Sequence, residues 1–205
     1  MREAAVGPLE DEPESLKAAL AYADLGLPVL PGTAWDGCWF RHPFSGATAP
    51  ALQPLMPPTG ATTSEGTLRA WWGCARWFSP TVLLQSGAAF DVLTADIPVV
   101  RSALSRGAFR FYKGAVLCNP WWGKAMILVE PGAAVPECVA KPTTLEVMPP
   151  TWIAVTPTQA RGVAASWWIP PEAPSAIGNS DMVATLLMAD VAAAQPSSTR
   201  TQSLG

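Results

Sequence analysis

Charge is scarce in this chain: only 14% of its 205 residues are charged, and it has one histidine and two tyrosines. No run reaches the roughly 18 consecutive apolar residues that a membrane-spanning helix needs, so no membrane partner is expected. Cysteine is equally sparse. Cys38, Cys74, Cys118 and Cys138 lie far apart and form no Cys-x-x-Cys. With His42 as their single possible companion, they exclude a zinc ribbon and a disulfide framework and are expected to be buried free thiols. The start, Met1-Arg2-Glu3 followed by the acidic Glu10-Asp11-Glu12, does not have the pattern of a secretory leader. A cytoplasmic protein is the expectation.

What is present is apolar. Hydrophobic residues make up 49% of the chain, ample for a packed core, and the length suits one domain. We expect an acidic disordered arm over 1–12, a single domain over 13–194 and a polar disordered tail over 195–205. The net charge of -3 hides an uneven distribution. Between residues 41 and 124 eight basic residues face only Glu65, Asp91 and Asp96, an excess of five positive charges. Such a segment suits a solvated face or contact with phosphates.

Proline and glycine divide the chain into short apolar runs. Pro13, the spacing of Leu16, Leu20 and Ala23, and Gly26 predict a first helix and its left-handed stop. Residues 27–31 read as a strand, and 32–61 as a long Pro/Gly-rich loop holding Trp35, Trp39 and His42. Thr62 and Glu65 form a candidate capping box for a second helix burying Leu68, Trp71, Trp72 and Ala75. A third helix enters through Pro98, buries Val100, Ala103 and Leu104, and stops at Gly107. Strands are expected over 81–85, 89–95, 115–118, 125–130, 144–147 and 152–156. Ser180 is expected to cap a last helix with Met182, Val183, Leu186, Leu187 and Val191 on one stripe. Strands bracketed by helices without regular alternation predict an α+β fold.

Candidate functional residues follow from these elements. In Phe90-Asp91-Val92-Leu93-Thr94-Ala95-Asp96, Thr94 and Asp96 share one strand face, whereas Asp91 points the other way and suits a hydrogen bond to a loop amide or an arginine. Two carboxylates at that spacing can hold a divalent metal, but a hydroxyl and one carboxylate supply a single anionic ligand. Arg110, Lys113 and Lys124 are candidate phosphate contacts, the first two on a half-buried strand over 109–113. Trp121 and Trp122 before Gly123 can stack on bases or anchor a protein, although most of the ten tryptophans are expected in the core.

The order of pieces resembles the bifunctional DNA primase/polymerase N-terminal (prim-pol) domain of the archaeo-eukaryotic primase superfamily, in its shortened actinobacterial versions. The resemblance rests on Ala18–Pro31, on Gly60–Thr63 with Leu68–Trp72, on Val82–Gly87 with Phe90–Asp96, and on Leu145–Val147, Trp152–Thr158 and Trp167–Pro171. It implies an RRM-like core of antiparallel or mixed sheet flanked by helices, and DNA-directed nucleotidyl transfer by two metal ions held by carboxylates, with a histidine on the nucleotide. In those terms Thr94 replaces the first aspartate and Asp96 keeps the second. Ala125 stands where the histidine falls, and Glu146 supplies the third carboxylate. Each missing group removes ~3 kcal/mol of transition-state stabilisation, so two lower the rate by roughly four or more powers of ten. The implied function is a catalytically silent primase-like accessory that binds nucleic acid or nucleotide and needs no cofactor. Two alternatives remain: a protein-interaction module whose cleft Ala125 and Met126 fill, and an unconventional polymerase in which Asp96 and Glu146 use Mg or Mn.

Overall fold

The computed structural model describes residues 12–107, 109–110, 112–134, 145–173 and 177–194, with side chains in the last segment described to residue 187. Residues 1–11 of the expected 1–12 arm, the tail over 195–205, Phe111, Cys138, Thr144 and the side chain of Val191 lie outside the described residues.

The first helix, α1 (Glu14–Asp24), begins directly after Pro13 and carries Glu14 in its first turn. Pro13 lacks an N–H that the first turn would leave unpaired, and the acidic residue suits the positive end of the helix. The helix ends as Gly26 takes φ +78° and the Leu27 amide donates back to the Tyr22 carbonyl, a reversal that glycine makes without steric cost. Leu16, Ala19, Tyr22 and Ala23 form its buried face. The second helix, α2 (Glu65–Gly73), is capped by Ser64, whose hydroxyl accepts from the Thr67 amide, not by Thr62 as expected. Thr62 instead accepts from the Ser64 amide one step earlier. Leu68 and Trp72 are the buried residues of α2.

Strands β1 (Val29–Gly32), β5 (Thr81–Gln85) and β10 (Trp152–Ala154) form one antiparallel sheet in the order β1-β5-β10. A second, five-stranded sheet has the order β13-β7-β8-β6-β9, from β6 (Asp91–Asp96), β7 (Val116–Asn119), β8 (Lys124–Val129), β9 (Glu146–Val147) and β13 (Ser166–Ile169). All its strand pairs are antiparallel too. With α3 (Ile97–Ser105) and α4 (Ser180–Ala194), the described architecture is α+β.

The strands of the larger sheet divide their side chains between two cores, because successive residues of a strand point to opposite faces. Val92, Leu117, Met126 and Leu128 join Leu16, Leu68, Trp72 and Leu84 in a core with α1, α2 and the smaller sheet. Leu93, Ala125, Ile127 and Val129 pack instead with Val100 of α3 and Val183 and Leu187 of α4. Burying a Leu or Ile side chain of this kind stabilises by about 1.5–3 kcal/mol each.

Several expectations change. Residues 32–61 are not an unstructured loop: β2 (Ala34–Trp35), β3 (Phe40–Arg41) and β4 (Thr48–Ala49) pair as a small antiparallel sheet. Asp36 organises its first turn, and Trp35 meets Phe40 edge-on at 4.9 Å. Two-residue strands are too short to show alternation in the sequence. A short hairpin of β11 (Gln159–Ala160) and β12 (Val163–Ala164) is also present.

Residues 109–113 form no strand among those described. Phe109 and Tyr112 both enter the α3/α4 core, their rings edge-on at 5.2 Å, and turn hydrogen bonds from the Arg110 and Tyr112 amides curl the backbone. Asn179, whose side chain accepts from the Met182 amide, opens α4 in place of Ser180. Val183, Ala184 and Leu187 form its buried stripe, while Met182 is exposed. Cys38 and Cys74 are exposed and only Cys118 of the described cysteines is buried. Trp72 alone among the tryptophans is buried. The others have amphipathic rings that lean on the core from its edges or stand in solvent, as an indole with a polar N–H permits.

Candidate functional site

The strand register, not the order of residues in the chain, decides which side chains share a site. Across β6, β8 and β9, Asp96 stands opposite Lys124, Thr94 opposite Met126, and Thr94 opposite Glu146 on the other side. Directly opposed residues point to the same face, so Thr94, Asp96, Lys124, Met126 and Glu146 are brought together. Ala125 is not: it pairs with Ala95 and is buried against α3 and α4 on the reverse face. The side chain that occupies the cleft face at this level is Lys124. Its Nζ donates to Asp96 Oδ1 at 2.8 Å, and both side chains are partly exposed. The expectation that Ala125 fills the cleft is therefore corrected, while Met126 does lie on that face, fully buried.

Thr94 is buried and its hydroxyl donates to the backbone carbonyl of Glu146 at 3.4 Å. Glu146 itself is exposed. A pair of divalent cations does not fit these residues. One position is a neutral hydroxyl turned to a carbonyl, and the carboxylate of Asp96 already faces an ammonium, which competes directly with a metal for its oxygen. Among the described residues no group of three His, Cys, Asp or Glu side chains is placed to share an ion. Asp91 has the role expected of it, its Oδ2 accepting from the Gly132 and Ala133 amides at 2.8 and 3.1 Å. Arg110 and Lys113 are exposed on the connection between α3 and β7, away from the strand row that holds Lys124.

That row continues into β7, where Asn119 stands opposite Lys124. Asn119, Lys124 and Asp96 thus form a line across three adjacent strands, spanning roughly 10 Å at the usual interstrand spacing. Asn119 is fully buried. Its Oδ1 accepts from the Trp122 amide at 3.3 Å, which fixes the orientation of the side-chain amide, since a backbone N–H must meet the oxygen. The Nδ2 on its other side is buried and meets no acceptor among the described residues. Leaving such a donor unpaired costs about 1–3 kcal/mol.

Asn119 borders a cavity of about 290 Å³ that the sequence did not reveal. Phe40, Leu52, Trp121, Trp122 and Trp152 give it apolar walls, and Arg161 is its charged residue. The β7–β8 turn supplies two of the indoles: Gly123 takes φ +66°, Trp121 Nε1 donates to the Ala160 carbonyl, and Trp122 tilts against Trp152 with ring centroids 6.0 Å apart. Arg161 sits in the two-residue turn of the β11–β12 hairpin with φ +52°, followed by Gly162 at +74°. Such a turn is easiest with Asn or Gly at its first position, so arginine is held there against its backbone preference. The Trp-Trp-Gly sequence signalled part of this cavity. Phe40, Trp152 and Arg161 came from distant segments and no local pattern joins them.

His42, the single histidine, does not take part. Its ring lies edge-on to Phe44 at 5.5 Å, in the small N-terminal sheet region. The Asp36 carboxylate, in the β2–β3 turn, serves Arg41 and the Cys38 and Trp39 amides. Among the described residues no helix is long and apolar enough to cross a membrane. Comparison of the chain with protein-family models, with characterised proteins and with solved structures returns no match in any of the three.

Proposed function

We propose that this protein is a degenerate primase/polymerase-like domain that binds nucleic acid or nucleotide without transferring nucleotides. The observation that carries the reading is the Lys124–Asp96 contact. Directly opposite Asp96, the one aspartate it keeps of the resembled family's metal-binding pair, this chain places its own cation. A built-in ammonium neutralises the one retained aspartate but cannot bridge an attacking and a leaving oxygen as paired metal ions do. Thr94 contributes no charge, and Glu146 is exposed on the same face. Arg161, the charged residue of the neighbouring cavity, suits a phosphate, and the indoles beside it suit bases. No cofactor is required by this reading.

Two measurements test it. Fluorescence anisotropy of a labelled single-stranded oligonucleotide should show binding that weakens steeply as salt rises, because phosphate contacts release counterions. Primer extension with labelled nucleotide and magnesium or manganese should show no incorporation. Incorporation that disappears in both Asp96→Ala and Glu146→Ala would instead establish an unconventional polymerase.

The exposure of Trp39 and Trp77, at 60% and 65%, favours a second reading as a protein-interaction module. In that case a partner is retained after nuclease treatment, and Trp77→Ala releases it.

A further inference from the structure

Resting on the nucleotide-binding reading, we propose that the tryptophan cavity is a base pocket: it holds the planar heteroaromatic ring of a nucleotide, with Asn119 donating to a ring acceptor and Arg161 at the phosphate. Three features converge on this ligand. The cavity of about 290 Å³ lies at the small end of ligand sites, large enough for one ring system but not for an extended chain molecule. Its walls are flat indoles, of which Trp122 is 44% exposed and so forms a face that solvent-borne rings can reach. Stacking on such a face is tolerant of base identity.

The polar groups then set orientation. Asn119 is buried, its oxygen is committed to the Trp122 amide, and its Nδ2 lacks an acceptor among the described residues. A ring nitrogen or carbonyl oxygen supplies what that donor lacks, whereas a purely hydrocarbon ring leaves it unpaired. Arg161 lines the same cavity from a left-handed backbone position. Its planar fork matches phosphate geometry. The chemistry is shared by a free mononucleotide and by one base of a single strand.

Calorimetric titration of the full chain with the four nucleoside monophosphates, adenosine, ribose 5-phosphate and a single-stranded 12-mer tests the pocket. At least one monophosphate is expected to bind one to one, and ribose 5-phosphate is not. Trp122→Ala and Asn119→Asp should each weaken the monophosphate about tenfold, the range of one lost base stack or one lost base-directed hydrogen bond. Asn119→Asp keeps the acceptor for the Trp122 amide, so the turn survives the change. Arg161→Gly relieves the left-handed backbone and should fold at least as well as the natural chain. It should weaken the monophosphate while leaving adenosine unaffected. Displacement of the 12-mer by the monophosphate assigns the pocket to a base of the strand, and independent binding assigns it to a free nucleotide. Ribose 5-phosphate binding as tightly as a monophosphate, or unchanged monophosphate affinity in folded Trp122→Ala and Asn119→Asp, overturns the pocket. If the 12-mer still binds in a salt-dependent way, the function proposed above stands without it. If neither the 12-mer nor any monophosphate binds, both fall.

Discussion

Single residues show where the chain's few charges are spent. Asp36 accepts from the Cys38 and Trp39 amides and from Arg41 Nε at 2.8, 2.7 and 2.6 Å. The Arg41 hydrogen bond first, and then the two amides, hold its carboxyl at about 2 against an ordinary 3.8. A carboxyl depressed in the folded state stabilises fully above its unfolded value and loses that contribution as pH falls through the folded one. The β2–β3 turn should therefore be intact above about pH 4 and loosen between 4 and 2. Amide exchange at Cys38 and Trp39 should accelerate in that window, and Asp36→Asn should show fast exchange with no such step. Unchanged protection down to pH 2 would refute this account. The same scale shows why the site was only half legible. Thr94 and Asp96 could be read because a strand repeats every two residues, but counting along Gly123-Lys124-Ala125 selected Ala125. The cross-strand register, which no local pattern states, put Lys124 opposite Asp96 instead.

At the level of elements, the long periodic pieces were legible and the short ones were not. α1 and α3 follow their spacing and their flanking Pro and Gly because each has enough residues to show a period, and β5 matches the apolar run between Pro80 and Gly87. The strands β2, β3 and β4, each of two residues, exist because Asp36, Trp35 and Phe40 fix their turn and packing. The segment between α3 and β7 failed as a strand for a related reason: Tyr112 has a specific berth. Its ring packs so closely over Gly114 and Gly178 that a Cβ at either glycine would run into it. The Gly178 amide and the Tyr112 hydroxyl both reach the Leu128 carbonyl. Burial, followed by the charge of Glu130, pushes the phenol well above its ordinary range. Glu130 in turn accepts from the Ser180 amide and hydroxyl at 2.9 and 3.0 Å, tying the start of α4 to the end of β8. Gly178→Ala should cost about 1–3 kcal/mol in urea unfolding, as overpacking of a filled core does. Combining it with Tyr112→Leu should cost less than the sum of the two single changes. Additive losses would mean that the ring and the glycine do not oppose each other.

For the whole molecule, the decisive fact is that one strand serves two cores. Met126 of β8 is buried with α1, α2 and the smaller sheet, and its neighbour Ile127 is buried with α3 and α4. The candidate row of Asn119, Lys124 and Asp96 sits at one end of the same strands. If β8 detached to release one core, its backbone pairing with β6 and β7 would be lost to the other, so the two cores should unfold together. Met126→Ala and Ile127→Ala each delete a buried side chain and should each cost about 2–5 kcal/mol. Both should lower the midpoint of a single transition, with circular dichroism and tryptophan fluorescence coincident, although the two changes lie on opposite faces of the sheet. Most tryptophans lean on the α1/α2 side or the cavity, and Trp168 leans on the α3/α4 side. Fluorescence and backbone signals would therefore separate if Ile127→Ala melted only the α3/α4 layer. A biphasic curve of that kind would show two independent layers, and the geometry of the row would then depend on one of them alone.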